Sequence, residues 1–247
     1  MRSSSIDLSK ANHFNIDRVI IRPDKLFKTG HGLNMDTYKE TFETWNKIAR
    51  LYEEEFMNLD LYEETYQIFC ESIEKAGAEI LEIGCGPGNL TKQLLATRPD
   101  FRIFGIDIAP NMITLAKKHN PTAKFEVMDS RSINEIRGTY NAVISGFCLP
   151  YLSTADGEKL ISDSYSLLVE NGLIYLSFVE GNPENSGFQK GISGDRVYFH
   201  YHSLEVLKAK CIDLEFKEIE VYPFEYKKSD SERETHIILT GRKKSNI

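Results

Sequence analysis

The sequence predicts a doubly wound α/β sheet, and three observations carry that expectation. Apolar, strand-like runs alternate with segments of helical period from residue 79 to about residue 180. A glycine-dense turn, Gly84-Cys-Gly86-Pro-Gly88, joins the first run to a helical one. Asp107 and Asp129 close the next two runs, at what would be the ligand-binding ends of parallel strands.

Ahead of the sheet, Tyr38, Phe42, Trp45, Ile48, Ala49, Tyr52 and Phe56 recur at three- and four-residue steps. That spacing predicts one apolar helix face beginning at Asp36. Asp60 is placed to cap a second helix carrying Tyr62, Tyr66, Phe69, Ile73 and Ala76, with Gly77 as its stop. The pair reads as a helical cap over residues 36–76. Residues 1–34 show no sustained period and one short apolar patch, Val19 to Ile21. They read as a poorly ordered N-terminal extension; a strand packed on a neighbour, or sequence upstream of a start at Met35, are the alternatives. Residues 35–247 then form a single domain.

Glu79-Ile-Leu-Glu-Ile-Gly is an apolar run bounded by glutamates, the length of a buried parallel strand. Gly84, Gly86 and Gly88 follow, and Asn89 opens a helical stretch. Strand, glycine turn and helix let backbone approach a nucleotide closely and aim free N–H groups at it. The dinucleotide fingerprint G-x-G-x-x-G would require glycine at position 89, where asparagine stands. Pro87 also fixes φ inside the turn. Phe101 to Ile108 is a second strand ending near Asp107, whose carboxylate suits the two hydroxyls of a ribose. Turn and acid together predict an adenosine-type ligand without a pyrophosphate.

Four stretches in order carry a family resemblance. Glu82-Ile-Gly-Cys-Gly-Pro-Gly88 resembles the first motif of the class I S-adenosylmethionine-dependent methyltransferases. Gly105-Ile-Asp107-Ile-Ala-Pro-Asn-Met112 resembles the second, and Val127-Met-Asp129-Ser130 the third, where a carboxylate meets the adenine amino group. Asn141 to Cys148 resembles the fourth strand and the loop beside the methyl group, and the likeness spans roughly residues 36–243. It implies S-adenosylmethionine as cofactor and a Rossmann-like, seven-stranded sheet, mostly parallel with an antiparallel last strand and helices on both faces. The cofactor candidates it names are Glu82, Gly84, Cys85, Gly86, Gly88, Asp107, Ile108, Met112, Asp129, Ser130, Ser145, Gly146 and Phe147. Tyr52, in a segment resembling the family's lid helix, is the aromatic candidate toward the sulfonium. Structural readings stand beside these: Asp107 can cap the next helix, Asp129-Ser130 is a good N-cap pair, and Ser145-Gly146-Phe147 can be strand-end packing.

Further along, Asn111–Lys118 reads as a helix, Ala123–Met128 as the third strand and Tyr140–Ser145 as the fourth. Ser153-Thr-Ala-Asp156 resembles a capping box opening a helix to about Glu170, stopped by Asn171-Gly172. Leu173–Val179 is the fifth strand, and Glu180–Gly194, with four glycines and a proline, a mobile loop or a substrate gate. Arg196–His202 alternates, Ser203–Cys211 is a short helix, and Phe216–Tyr222 and Thr235–Arg242 are the last strands.

A net charge of −7, from 30 basic and 37 acidic residues, argues against a broad nucleic-acid footprint. Cys70, Cys85, Cys148 and Cys211 stand among apolar neighbours without metal-ligand spacing, which predicts buried thiols, no metal and a reducing, cytoplasmic setting. Neither a membrane span nor a signal peptide is read.

Methyl transfer from a sulfonium needs alignment more than acid–base help, so no catalytic residue announces itself. Substrate candidates are Tyr151, just past the fourth strand, with Glu180, Tyr198, His200 and His202. The two histidines share a face but lack a third ligand, so a structural role is the simpler reading. The sequence after the fourth strand, Ser-Gly-Phe-Cys-Leu-Pro-Tyr, departs from the family's Asn-Pro-Pro-Tyr or Asp-Pro-Pro-Tyr type, which argues against planar-amine methylation of nucleobases or glutamine; an acidic chain with no added recognition domain favours a small-molecule acceptor. An idle cofactor binder acting through a partner, or a nicotinamide-dependent oxidoreductase, are the alternatives.

Overall fold

The computed structural model describes residues 37–58, 61–190, 194–228 and 232–245. The expected extension over residues 1–34 lies outside them, as does Asp60. Seven strands form one sheet: β1 (Glu79–Ile83), β2 (Arg102–Asp107), β3 (Lys124–Val127), β4 (Tyr140–Ser145), β5 (Leu168–Glu180), β8 (Lys217–Lys227) and β9 (Arg233–Arg242). Their spatial order is β3-β2-β1-β4-β5-β9-β8. The first five run parallel, and β9 enters antiparallel between β5 and β8. The order reverses between β1 and β4, the crevice where doubly wound sheets take ligands.

Helices α4 (Asn89–Thr97), α5 (Pro110–His119), α6 (Thr154–Leu167) and α7 (Leu204–Asp213) follow the strands. Both faces of the sheet are apolar because each strand alternates between two cores. Leu81, Val143, Ile174 and Leu176 meet Leu160, Ile161 and Leu207 on one side. Ile80, Ala142, Ile144 and Tyr175 meet Phe69, Leu90 and Leu94 on the other. Each such side chain contributes about 1.5–3 kcal/mol by leaving water.

Several local expectations change. The single N-terminal helix is two, α1 (Thr37–Lys47) and α2 (Ala49–Phe56), broken at Ile48, whose φ of −95° and ψ of 14° leave the helical well. The second cap helix, α3, is Glu63–Glu71 rather than a run to Ala76, and Tyr62 at its N-cap makes no side-chain cap bond. α6 ends at Leu167 because Leu168 is already extended and paired with Tyr140, so β5 begins ahead of Asn171-Gly172. The expected mobile loop after Val179 is instead mostly ordered. β6 (Gly187–Lys190) pairs antiparallel with β7 (Arg196–Phe199) as a hairpin over the ligand end of the sheet.

α1 holds that hairpin through backbone groups. The Thr44 hydroxyl donates to Arg196 O at 2.8 Å, and the Tyr198 N–H donates to the Thr41 hydroxyl at 2.8 Å. Arg196 adds an ion pair to Glu40 and lies 4.0 Å from the centre of the Phe188 ring. Thr41→Val leaves the Tyr198 N–H without its acceptor, and should cost about 1–3 kcal/mol at the hairpin. Hydrogen exchange of Tyr198 checks it: protection equal to the parent's would contradict the clamp.

Candidate functional site

A cleft opens at the carboxyl ends of β1, β2 and β4 and has two lobes, with about 710 Å³ and about 1070 Å³ of empty space counted out into the solvent at their mouths. Trp45, Tyr52, Phe147 and Tyr151 line both, so these four rings stand between them. Trp45 contacts Tyr52 at 5.4 Å and Tyr151 at 5.2 Å between centroids, and its buried indole N–H has no hydrogen-bond partner among the described residues.

The glycine turn is shaped by close approach. Gly84, Gly86 and Gly88 all have positive φ (70°, 52° and 84°). A Cβ on Gly84 would stand 2.7 Å from Cys148 Cβ, so the turn fits against the loop after β4 only without a side chain. A Cβ on Gly86 would instead enter the space toward Tyr52, with its nearest atom 3.8 Å away. That is room for a ligand, not for protein. The expectation of N–H groups free for a ligand is corrected here. Gly84 and Cys85 donate to Ile106 O, Gly86 donates to Asp107, and Gly88 donates to Cys85 O. The turn is a surface to lie against rather than a row of donors.

Asp107 ends β2 inside the first lobe. Its Oδ2 accepts from Gly86 N and its Oδ1 from Ala109 N, both at 2.9 Å. Each oxygen keeps a lone pair for one further donor. Burial pushes the carboxyl up to about 6, against those two backbone bonds. Ile108, Met112, Ser130 and Phe147 line the same lobe with Tyr52, Gly84, Gly86 and Gly146. Glu82 and Cys85 line the second.

Three cofactor candidates fall elsewhere. Gly88 packs on α5, where Asn120 Nδ2 donates to its carbonyl at 2.9 Å. Asp129 is absent from the cleft lining; its carboxylate accepts from Arg131 and from the hydroxyl of the lining Tyr38, and it caps the short 3₁₀ helix Ser130–Glu135. Ser145 is fully buried, and its carbonyl accepts from the Ser177 hydroxyl. Ser177 also accepts from Phe147 N at 2.7 Å, which fixes Phe147 at a φ of 57° beside the cleft. Of the substrate candidates, Tyr151 lines both lobes. The other four are drawn into structure instead. Glu180 accepts from Leu204 N at the start of α7 at 2.6 Å, and Tyr198 packs on Phe188 and His200. His202 is fully buried with Nε2 2.7 Å from Leu149 O.

The sequence reading missed the far wall of the second lobe, where Tyr62, Gln189, Tyr226, Glu234 and His236 meet. The signal available was the antiparallel entry of β9: its first residues must lie beside the carboxyl end of β5, and Val179 pairs with His236. Among the described residues no three His, Cys, Asp or Glu side chains are grouped to hold a metal, and no helix is long and apolar enough to cross a membrane.

Glu82 is 1% exposed and accepts from the Thr91 hydroxyl. Burial pushes it up to about 8, Asp107 adding to the rise. A carboxyl protonated in the fold but ionised in the unfolded chain loses its stabilising contribution as pH rises through the folded value. The half-buried His200 and the buried His202 and His236, all lowered by burial from 6.5, act in the opposite sense only below that value. Stability of the ligand-free protein should therefore decline between about pH 6.5 and 8, and Glu82→Gln should flatten the decline. Urea midpoints at both ends of that window test this; equal slopes in parent and variant would refute it.

Comparison with known proteins places this geometry. Residues 80–172 match the family model described as a methyltransferase domain. A curated relative from Alkaliphilus oremlandii, an uncharacterised methyltransferase, is 27% identical over 71% of this chain and 77% of its own length. In two other curated matches the aligned stretch is under half of the relative. Among solved structures, magnesium protoporphyrin IX methyltransferase from Synechocystis PCC 6803 with bound S-adenosylmethionine superposes with a TM-score of 0.65 at 16% identity, over 87% of this chain and 100% of that one. The 1,6-didemethyltoxoflavin-N1-methyltransferase of Burkholderia thailandensis, with its namesake compound and S-adenosylhomocysteine bound, gives 0.64 at 14% identity over 93% and 98%.

Proposed function

We propose that this chain is a class I S-adenosylmethionine-dependent methyltransferase whose acceptor is a small, flat molecule, neutral or cationic, seated in the second lobe. One observation carries the acceptor class. Nine Phe, Tyr or Trp side chains line that lobe with Glu82 and Glu234, and no lysine or arginine among the described residues does. Aromatic walls favour a flat guest, and an ionised Glu234 with no lysine or arginine in the lining disfavours an anionic one. A protein of the same fold holds 1,6-didemethyltoxoflavin beside S-adenosylhomocysteine, which is consistent with a small acceptor.

The residues present fit the cofactor. Asp107 would hold the ribose hydroxyls, Ile108, Met112 and Ser130 would flank the adenine, and the bare face of Gly86 would admit the chain toward sulfur. Glu82 would lie toward the amino group of the methionine part. Bound there, S-adenosylmethionine supplies an electrophilic methyl group. The protein's part is to aim it and exclude water, a contribution of up to roughly 7–11 kcal/mol in well-oriented cases. We read residues from 35 onward as one such domain under its helical cap. Its four thiols are free, in keeping with a reducing cytoplasm.

The experiment pairs calorimetry with a survey. S-adenosylhomocysteine should bind the protein. Methyl-labelled donor should then mark neutral or cationic heteroaromatic compounds in preference to carboxylate-bearing ones. Labelling confined to anionic acceptors would overturn the assignment.

A further inference from the structure

The far wall of the second lobe opens onto a chain of five polar groups that the proposed cofactor contacts do not use. The Tyr62 hydroxyl lies 2.5 Å from His236 Nδ1. His236 Nε2 faces Glu234 Oε2 at 3.8 Å. Glu234 Oε1 is held by Lys228 Nζ at 2.6 Å and by the Tyr201 hydroxyl at 3.1 Å. Tyr62, His236 and Glu234 line the lobe, and Tyr62 lies against Phe147, 4.9 Å between ring centres, where the two lobes meet. The imidazole is clamped between rings, stacked on Tyr226 at 4.6 Å and 14° with Phe147 on another side at 5.0 Å. A buried chain of this kind costs desolvation, so its retention beside an otherwise aromatic cavity asks for a use.

The direction of the chain follows from its charges. Burial pushes Glu234 up, but His236 and Lys228 outweigh it and hold the carboxyl at about 2, so Glu234 is an anion. An anion opposite Nε2 favours the proton on that nitrogen, which leaves Nδ1 as an acceptor. Burial lowers His236, with Lys228 adding and Glu234 opposing, so the ring is neutral and able to take a proton. The Tyr62 hydroxyl then donates to Nδ1, and its own lone pairs are the ones presented to the lobe.

We propose that Tyr62 accepts the proton of an acceptor hydroxyl while passing its own to His236, which makes this an oxygen-directed methyltransferase acting on phenol-type acceptors. The inference rests on the second lobe being the acceptor's seat. In the step, the acceptor oxygen forms a bond to the methyl carbon as the carbon–sulfur bond breaks and leaves its electron pair on sulfur. The acceptor's proton moves to Tyr62 oxygen, the Tyr62 proton moves to Nδ1, and the imidazolium so formed faces the Glu234 carboxylate. Tyr62 is the catalytic residue; His236 and Glu234 position and charge-balance it.

4-Nitrophenol serves as the probe, because its phenolate absorbs visible light. Added to the S-adenosylhomocysteine complex, buffered below the phenol's own pKa, it should show the phenolate band with the parent protein. The band should be lost with Tyr62→Phe and with His236→Asn, whose amide oxygen can still receive the Tyr62 hydroxyl but cannot take its proton. Turnover of phenol acceptors should fall by roughly 10²-fold or more in either variant, and by less for phenols already ionised. Should Tyr62→Phe fail to fold, His236→Asn carries the same test. No phenolate band in the parent, a band persisting in His236→Asn, or a loss blind to acceptor acidity would each overturn the relay. Failure of the parent to bind S-adenosylhomocysteine would instead bring down the methyltransferase assignment on which it rests.

Discussion

Asp107→Ala should weaken binding of S-adenosylhomocysteine by about 2–4 kcal/mol, taking 1–2 for each of two lost ribose bonds. In dissociation constant that is roughly 30- to 1000-fold. The change also strips Gly86 N and Ala109 N of their common acceptor, so the turn loses an anchor along with the ligand contact. Asp107→Asn separates the two, since an amide can keep one backbone bond but offers a single acceptor oxygen. The same carboxyl predicts a pH dependence. It is held up to about 6 in the free protein, and two hydroxyl donors favour its ionised form. Affinity should therefore fall as pH drops below about 6, by up to tenfold per unit, and Asp107→Asn should show no such slope. Calorimetry across pH 5 to 8 reads both, on the order of one titration per unit. An unchanged dissociation constant in Asp107→Ala would remove the carboxylate from the site.

Gly88→Ala should cost the fold about 2–5 kcal/mol, from roughly 1–2 of left-handed backbone strain and 1–3 of overpacking. At a φ of 84° its new Cβ would stand 3.1 Å from Ala116 Cα and 2.4 Å from Asn120 Nδ2, the atom that now donates to the Gly88 carbonyl. Backbone, unlike a side-chain tip, cannot turn aside, so α5 must move. Gly138→Ala is the control: its φ is 105° and nothing lies within 4 Å of the added carbon, so only the strain remains. Urea unfolding of the two variants should differ by the overpacking share. Equal losses would mean that the contact with α5 bears no weight.

The parts legible in the sequence are those where one backbone demand selects one residue type. Gly84, Gly86 and Asp107 lie where a strand must turn at once into a ligand surface, and the chain spells that turn out locally. Asp129 shows the limit of the same logic. A carboxylate at a strand end was expected to face adenine, yet Arg131, two residues on, captures both its oxygens. The cap helices misled for a different reason. The aromatic stripe from Tyr38 to Phe56 has one period, but α1 turns toward the hairpin and α2 toward the glycine loop, and the break at Ile48 is tertiary in origin. Tyr62, His236 and Glu234 were hidden by distance. No local pattern links a helix entrance to the first residues of the last strand; only the antiparallel insertion of β9 brings them together.

Trp45, Tyr52 and Tyr151 belong to both lobes. Whatever pose those rings adopt for a first guest is the wall that a second guest meets, so occupancy on either side is felt on the other. Linkage requires the influence to be mutual: if donor tightens acceptor by some factor, acceptor tightens donor equally. With donor and acceptor seated as proposed, the spent cofactor, lacking its methyl and its charge, would meet that shared wall differently from the donor.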